Sequence, residues 1–317
     1  MNQKQLLFYA CVLVCVSSVL STTDFWFRNV ADNIAAMKEG TYSPYREFNQ
    51  WVNDLFYGYT NLNFVSDYLA SKGGDDTGYY LQCYVRDLAA GTAVYWITAG
   101  LWHLFIYGIY GQKLFTGVGR EFPTSATITD QMCLAQASLF LYAALPVFSE
   151  YLIESNFTKT YFFVDEIGGW GMYALNLFLY IVFVEFGIYW VHRILHENKF
   201  LYKYVHGLHH KYNKAVTLTP WASIAFNPID GILQASPYVV GLFLIPVHYF
   251  THVGLLFFTG VWATNIHDAV WGDSEPIMGA KYHTVHHTHY HYNFGQFFIF
   301  WDYVFGTLKV PEKEKFA

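Results

Sequence analysis

The sequence predicts an all-α fold, a polytopic bundle of membrane helices, and three observations support this prediction. Of the 317 residues, 54% are hydrophobic and 21% aromatic, whereas only 13% are charged, a composition unlike that of a typical soluble domain. Apolar runs long enough to cross a bilayer as helices recur along the chain. Histidines cluster in three short boxes with the three- and four-residue spacing of a helix face. We therefore expect a helical membrane bundle with a histidine-rich cap.

The amino-terminal part of the chain, up to residue 87, carries no motif to which we assign chemistry. Leu6 to Leu20 is an apolar run behind Lys4 with the length and flanks of a signal peptide. A short membrane anchor fits the same run, so residues 1–21 are interpreted as a signal-like or anchor segment. Residues 22–87 are polar and aromatic, with turn signals such as Ser43-Pro44, and form a region of unknown role.

Residues 88–310 contain the apolar runs that predict a membrane domain. The first three runs each suit one crossing, and Pro146 is expected to kink the second. His192 immediately follows the third run. These predicted spans are Leu88 to Tyr110, Met132 to Ile153 and Met172 to Val191.

A fourth apolar run, Ile232 to Ile266, is too long for a single crossing and contains two prolines. It predicts a hairpin of two helices that turns near Pro246 to Thr251. The tip holds His248 and His252 at a spacing typical of metal ligands. Because the tip lies a membrane thickness from the end where His192 emerges, we exclude both from the predicted site.

Nine of the fourteen histidines form the predicted metal site. They occupy boxes at 192–196, 206–210 and 283–287, with His267 between the last two boxes. Helical spacing lets each box aim two or three imidazoles at a common point. One metal rarely takes so many nitrogens, so we predict two adjacent metal ions with room left for oxygen or water. The predicted ligands are His192, His196, His206, His209, His210, His267, His283, His286 and His287.

Two further histidines, His289 and His291, follow the last box but fall outside its helical spacing. We leave both out of the ligand set. No GxSxG or HExxH motif of a hydrolase is present in the sequence. A metal pair at the mouth of a membrane bundle instead favours a redox reaction on a lipid that enters from the bilayer.

The distribution of charge predicts the orientation in the membrane. Lysines and arginines follow the third run and the hairpin, whereas residues 154–166 are net acidic, so the boxes are expected to face the cytosol. Residues 311–317 then form a cytosolic tail, and Lys313 and Lys315 resemble the dilysine retrieval signal of endoplasmic reticulum membrane proteins. A solvated charged tail is the alternative. The net charge of -6 gives no reason to expect nucleic acid as a partner.

Several motifs together resemble the sterol desaturase and fatty acid hydroxylase superfamily. They are the three boxes, Asn227-Pro-Ile-Asp-Gly231, His267-Asp268 and Tyr292-Asn293-Phe294-Gly295. Four further stretches are similar to the plant-type delta-7-sterol C-5 desaturases within that superfamily, and the match runs from about Leu88 to Val310. These stretches are Phe183 to His192, Leu201 to Tyr204, Gly231 to Ala235 and Pro276 to Gly279.

The resemblance implies that the two metals are iron and that O2 is activated with electrons from NAD(P)H through cytochrome b5 and its reductase. It also implies removal of hydrogens from C5 and C6 of a delta-7 sterol, which gives a 5,7-diene. A sibling oxidase with the same iron site, such as a C-4 methyl sterol oxidase or a fatty acid hydroxylase, is the alternative enzyme. A membrane metal-binding protein without catalysis is the alternative from another class.

The chain departs from the family pattern at two positions. Plant relatives tend to carry a second histidine four residues after the position of His267, where this chain has Trp271. Relatives usually carry histidine at the position of Asn227. We therefore expect nine ligands. The departure at Asn227 is expected either to alter a contact that supports a ligand or to change nothing.

Four residues are candidates for support of the metal site or contact with substrate. Glu185 lies seven residues before His192, so it is expected on the same helix face about 10 Å deeper. A carboxylate at that depth requires a partner, and it fits a ligand for the sterol hydroxyl, a support for a histidine or a hydrogen-bonded packing residue. Asp268 is predicted to fix a histidine tautomer. Tyr189 is a candidate for the sterol cleft or for ordinary packing, and Asn293 is a candidate through its place in the closing motif.

Overall fold

Helices make up nearly all the regular structure of the computed structural model, which describes residues 35–37, 39, 43–111, 121–214, 217–268 and 275–311, without the side chains of 72–75. In these ranges β-structure is limited to two two-residue strands and one isolated bridge. The predicted all-α fold is confirmed. The signal-like segment, Trp271 and the dilysine pair lie outside the described residues.

The first two helices begin before the predicted membrane domain. Helix α1, Pro44–Tyr59, starts at the cap residue Ser43, whose Oγ accepts a hydrogen bond from Arg46 N. Helix α2, Asn63–His103, is continuous and is extended by a π-helical segment, Leu104–Ile109. The helix that carries the first predicted span therefore begins before residue 88. Gly73 and Gly74, which form part of a turn signal in the sequence, each cost only about 1 kcal/mol inside a helix. The other interactions of the 41-residue helix outweigh this cost.

The next helices carry the second and third predicted spans. Helix α3, Ser125–Tyr142, is separated from α4, Ala144–Glu154, by a break at Ala143. Pro146, the predicted position of a kink, lies in the first turn of α4, where a missing N–H is tolerated, and the helix break lies before it at Ala143. Helix α5, Trp170–Glu197, is longer than predicted and carries both histidines of the first box.

The segment between α5 and the hairpin contains only short turns. The second box does not lie on one α-helix face, so that expectation was wrong. His206 ends a π-helical turn, whereas His209 and His210 lie in a separate 3-10 turn. Gly207 permits the change of direction, because a Cβ there would lie 2.8 Å from Tyr202 O. The short turns are Val164–Ile167 before α5 and Lys199–Leu201, Tyr202–His206, His209–Lys211 and Pro220–Ala222 after it.

The predicted hairpin consists of α6, Pro228–Leu244, and α7, Tyr249–Ile266. The turn between them contains strand β2, Val247–His248, which pairs in parallel with β1, Thr160–Tyr161. Pro237 lies inside α6 and packs on Gly187 of α5, where a Cβ would lie only 2.6 Å from the proline Cβ. The glycine thus allows α5 and α6 to approach closely. Two shorter helices, α8, Ala280–His289, and α9, Phe300–Val304, complete the described chain.

Three helical stretches in the described part of the chain are long and apolar enough to cross a membrane. They contain the first three predicted spans, apart from Tyr110 at the end of the first, and the hairpin helices are not among them. The chain is a membrane protein. The three stretches are Asp76–Ile109, Ser125–Glu154 and Trp170–Glu197.

The chain divides into two compact units. The described part of the first unit comprises residues 35–37, 39, 43–90, 143–181 and 238–256, and it includes His248 and His252. His252 Nδ1 lies 2.9 Å from Tyr180 Oη, and its Nε2 lies 3.3 Å from Ser149 Oγ. The second unit comprises residues 91–142, 182–237 and 257–311 of the described chain and contains all nine predicted ligands.

Candidate metal centre

The nine predicted ligands gather into two buried groups. Within each group, the candidate ligand atoms all lie within 4.8 Å of one another. The five-histidine group contains His192, His196, His206, His210 and His286. The four-histidine group contains His209, His267, His283 and His287.

The second and third boxes each contribute to both groups. His286 and His287 are adjacent on α8, so their side chains point about 100° apart around the helix axis and enter different groups. His209 and His210 divide in the same way from their 3-10 turn. Both histidines of the first box belong to the five-histidine group, whereas His267, just after α7, belongs to the four-histidine group.

Several distances between ring nitrogens match the edges of a coordination polyhedron. In the five-histidine group, His210 Nε2 lies 3.1 Å from His206 Nε2 and 3.2 Å from His286 Nε2. In the four-histidine group, His283 Nε2 lies 3.0 Å from His267 Nε2 and 3.1 Å from His287 Nε2. Two nitrogens that each bind a metal at about 2.1 Å lie about 3.0–3.4 Å apart at octahedral or tetrahedral angles. The spacing therefore fits one metal ion per group.

Three histidines of the five-histidine group have tautomers that leave Nε2 without a proton. His192 Nδ1 donates to Phe294 O at 3.0 Å, and His286 Nδ1 donates to Tyr292 O at 2.8 Å. His206 Nδ1 donates to the Asp230 carboxylate at 2.8 Å. In a neutral ring, a proton on Nδ1 leaves a lone pair on Nε2. Lone pairs that converge in a buried space repel one another unless a cation lies between them, so the residues present fit a bound metal.

Six histidines of the two groups that lie outside the membrane-spanning helices are held in the neutral form. Burial, reinforced by neighbouring histidines, lowers the pKa of five of them well below the usual range, and burial lowers the pKa of His267 to about 4. Neutral imidazole is the form that binds a metal. The five are His209, His210, His283, His286 and His287.

Comparison of the sequence with known proteins identifies the family of this chain. A family model described as fatty acid hydroxylase matches residues 177–307. An Arabidopsis thaliana protein provisionally named Delta(7)-sterol-C5(6)-desaturase 2 is 46% identical over 268 residues, which cover 84% of this chain and 94% of that relative. The chain belongs to the sterol desaturase and fatty acid hydroxylase superfamily.

Other members of the superfamily extend the similarity across plants and fungi. The Nicotiana tabacum Delta(7)-sterol-C5(6)-desaturase is 43% identical over 235 residues, 74% of this chain and 85% of that protein. A Delta(7)-sterol 5(6)-desaturase of Aspergillus fumigatus is 42% identical over 139 residues, 44% of this chain and 40% of that protein. No solved structure matches the chain. The segment matched by the superfamily model contains all nine histidines of the two groups.

Asp230 is a site residue to which the sequence reasoning gave no role. Its Oδ2 accepts the Nδ1 proton of His206, and its Oδ1 accepts a hydrogen bond from Gln234 Nε2 at 2.8 Å. The neighbouring departure from the superfamily pattern, Asn227, accepts a hydrogen bond from Ile229 N and so caps the start of α6. An acidic residue in the first turn of a largely apolar helix was the available signal for Asp230.

Of the four predicted supporting residues, Asn293 lies within residues 292–298, here called the closing loop, and Glu185 and Tyr189 contact that loop. Glu185 accepts hydrogen bonds from Phe297 N at 3.1 Å and Phe298 N at 3.1 Å. In the described part of the chain, no hydrogen bond joins Glu185 to a histidine. Of the three roles predicted for Glu185, these hydrogen bonds fit that of a hydrogen-bonded packing residue.

Tyr189 and Asn293 are both fully buried. Tyr189 Oη lies 2.9 Å from Thr307 Oγ1. Asn293 has a left-handed backbone with φ of 59°, and its Nδ2 donates to Tyr282 O and Lys309 O at 3.0 Å each. Asn293 therefore ties the closing loop to its surroundings, and the Tyr189 ring packs edge-on against Phe294 of the loop.

The fourth predicted supporting residue, Asp268, is buried beside His267. The backbone carbonyl of Ala263 accepts the Nδ1 proton of His267 at 2.7 Å, and the role of Asp268 stays a prediction. His289 and His291 are exposed and lie outside both groups.

Proposed function

We propose that this chain is a membrane oxidoreductase that introduces the C5–C6 double bond into a delta-7 sterol. The observation that carries the proposal is 46% identity across 94% of the length of a relative named as a sterol C5(6)-desaturase. The two buried histidine groups support it, because they fit a pair of redox-active metal ions. A C-4 methyl sterol oxidase or a fatty acid hydroxylase is the sibling alternative, since the histidine boxes alone do not specify the substrate.

The reaction balances with O2 as the oxidant. The sterol loses one hydrogen from C5 and one from C6, and the new double bond forms between these carbons. O2 accepts these two hydrogens together with two electrons and two protons, which yields two waters. We propose that the electrons come from NAD(P)H through cytochrome b5 and its reductase.

The proposed cofactor is a pair of iron ions, one held by each histidine group. When bound, iron supplies activation of O2 for attack on unactivated carbon–hydrogen bonds. The chain's own residues keep the imidazoles neutral by burial and fix their tautomers through Asp230 and backbone carbonyls. Burial of both groups excludes bulk water from the site.

We place the enzyme in the endoplasmic reticulum membrane, with the histidine groups facing the cytosol. The positive charge after α5 supports this orientation. A cytosolic site is accessible to a cytosolic electron donor, and a sterol enters from the bilayer.

The test is expression in yeast cells that lack their own C-5 desaturase. The native chain and the His209→Gln variant are expressed separately, and mass spectrometry follows the 5,7-diene sterol. We expect the diene with the native chain and none with the variant at equal protein level. If the native chain is present in the membrane and forms no diene, the C-5 assignment fails, and 4-methyl sterols and fatty acyl chains are the next substrates to test.

A further inference from the structure

Among the described residues, hydrogen bonds join the closing loop to only one of the two histidine groups. Its carbonyls at Tyr292 and Phe294 accept the Nδ1 protons of His286 and His192, both members of the five-histidine group. Among the described residues, no hydrogen bond joins the closing loop to a member of the four-histidine group. The position of the loop therefore determines the tautomer and orientation of two ligands of the same metal.

Two buried carboxylates hold the closing loop by its backbone amides. Asp302 Oδ1 accepts a hydrogen bond from Phe294 N, and Asp302 Oδ2 accepts one from Gly295 N, both at 2.8 Å. Glu185 binds the amides of Phe297 and Phe298 at the other end of the loop. The exposed fractions of Asp302 and Glu185 are 0% and 3%, and no ion pair with either residue occurs in the described part of the chain. The amides of the loop are thus the main partners of both carboxylates.

Further contacts restrict the loop to this position. Thr307 Oγ1 donates to Asp302 Oδ1 at 2.7 Å, and Tyr189 Oη lies 2.9 Å from Thr307 Oγ1. Gly295 has no room for a side chain, because a Cβ would collide with Phe298 O and lie 3.1 Å from Asp302 Oδ2. The amide that faces Asp302 cannot turn away without breaking these contacts.

We propose that Asp302 and Glu185 are positioning residues for the metal of the five-histidine group. By holding the closing loop they fix the Nδ1 hydrogen bonds of His192 and His286, and through these bonds they set the affinity for that metal. The metal of the four-histidine group does not depend on them. This inference rests on the proposed di-metal site and not on the identity of the lipid substrate.

The test counts metal ions on the purified full-length protein in detergent. The native chain, Asp302→Asn and Glu185→Gln are stripped with a chelator and titrated with Fe(II) without oxygen, and bound iron per chain is measured after dialysis. We expect two tight sites in the native chain. In each variant we expect one site to stay tight and the other to weaken by about 10–100-fold, the usual effect of removing a residue that supports a ligand.

The matched control is a half-buried carboxylate that has no hydrogen bond to the closing loop. Glu154 accepts hydrogen bonds from Asn49, Tyr79 and Tyr80 in the first unit. We expect Glu154→Gln to lower thermal stability and still bind two irons tightly. If Asp302 and Glu185 contribute only to stability, Asp302→Asn and Glu185→Gln will also melt at a lower temperature and still bind two irons tightly, as Glu154→Gln does.

Two results overturn the inference: both sites stay tight in Asp302→Asn and Glu185→Gln, or both sites weaken equally. If neither variant yields folded protein, Tyr189→Phe removes a single hydroxyl from the same network and is judged by the same criterion. Failure of the proposed function is separable, because a native chain that binds two irons and forms no diene contradicts only the reaction. A native chain with fewer than two sites contradicts the di-metal centre itself.

Discussion

His206 Nδ1 lies 2.8 Å from Asp230 Oδ2, and both side chains are fully buried. Gln234 Nε2 donates to the other carboxylate oxygen, so the carboxylate is fixed on both sides. A carboxylate that accepts the Nδ1 proton of a histidine keeps Nε2 free and makes it a stronger electron donor to a metal. Asp230 therefore acts on the five-histidine group without belonging to it.

Replacement of Asp230 by asparagine is expected to weaken one metal site. An amide is a weaker acceptor than a carboxylate, so His206 Nε2 donates less electron density to a metal. We expect diene formation per unit of membrane protein to fall by about 10–100-fold, measured by mass spectrometry in the yeast strain. The control is Asp54→Asn, which changes an exposed carboxylate bonded to Gln50. Native turnover and native iron content in Asp230→Asn contradict the role.

The metal-free protein is expected to lose stability in acid. Burial lowers the pKa of His267 to about 4, below the ordinary histidine value of about 6.5. The unfolded chain therefore binds more protons between these values, and folding is less favourable as pH falls from about 6.5 to 4. The shift corresponds to about 3 kcal/mol for this one residue.

The measurement is thermal unfolding of the stripped protein in detergent between pH 8 and pH 4. His267→Gln removes one of the groups that must remain neutral, so its melting temperature is expected to depend less on pH. His289→Gln, at an exposed position, is expected to match the native chain. A native melting temperature that stays constant across this range contradicts the prediction.

The histidine boxes could be predicted from the sequence because the spacing between neighbouring histidines is a local feature of the chain. His192 and His196 are four residues apart on one helix, and the sequence alone places them side by side. The second box met the same spacing rule but lies in a π-helical turn and a 3-10 turn. Its histidines still converge, because the contacts around the site select the backbone shape.

The supporting carboxylates were not assigned from the sequence because their roles depend on long-range contacts. Asp230 meets His206 across 24 positions, and Glu185 meets Phe297 across 112 positions. Glu185 was singled out by its depth in an apolar helix, yet its partners proved to be backbone amides, which no side-chain motif encodes. Asp302 lies close to Phe294 in the chain but carries no sequence pattern typical of a support for the metal site.

Because Gly295 has no room for a side chain, one added methyl group is expected to reduce both stability and metal binding. Gly295→Ala is expected to displace Phe298 and the Asp302 carboxylate, at a cost of about 1–3 kcal/mol for overpacking. Iron titration is expected to show loss of one tight site. The control is Gly254→Ala, because a Cβ there meets nothing within 4 Å and α7 gains helix propensity. Two tight sites in Gly295→Ala contradict the prediction.

The first unit contains a buried ionic cluster whose loss is expected to affect stability and not metal binding. Arg86 is buried between Asp87 and Glu150 and also donates to Asn53 Oδ1 at 3.1 Å. Removal of one member of a buried ion pair leaves an uncompensated charge and costs about 3–5 kcal/mol. Arg86→Met is therefore expected to lower the melting temperature strongly, while the folded fraction still binds two irons per chain.

An exposed ion pair in the same unit provides the matched control for Arg86→Met. Arg46 pairs with Asp76, and the exposed fractions of the two side chains are 41% and 78%. Because exposed pairs contribute only about 0–1 kcal/mol, Arg46→Met is expected to change the melting temperature little. If Arg86→Met melts like Arg46→Met, the buried cluster does not stabilise the first unit. If Arg86→Met binds one iron instead of two, the cluster influences the metal centre, which none of the contacts around Arg86 predicts.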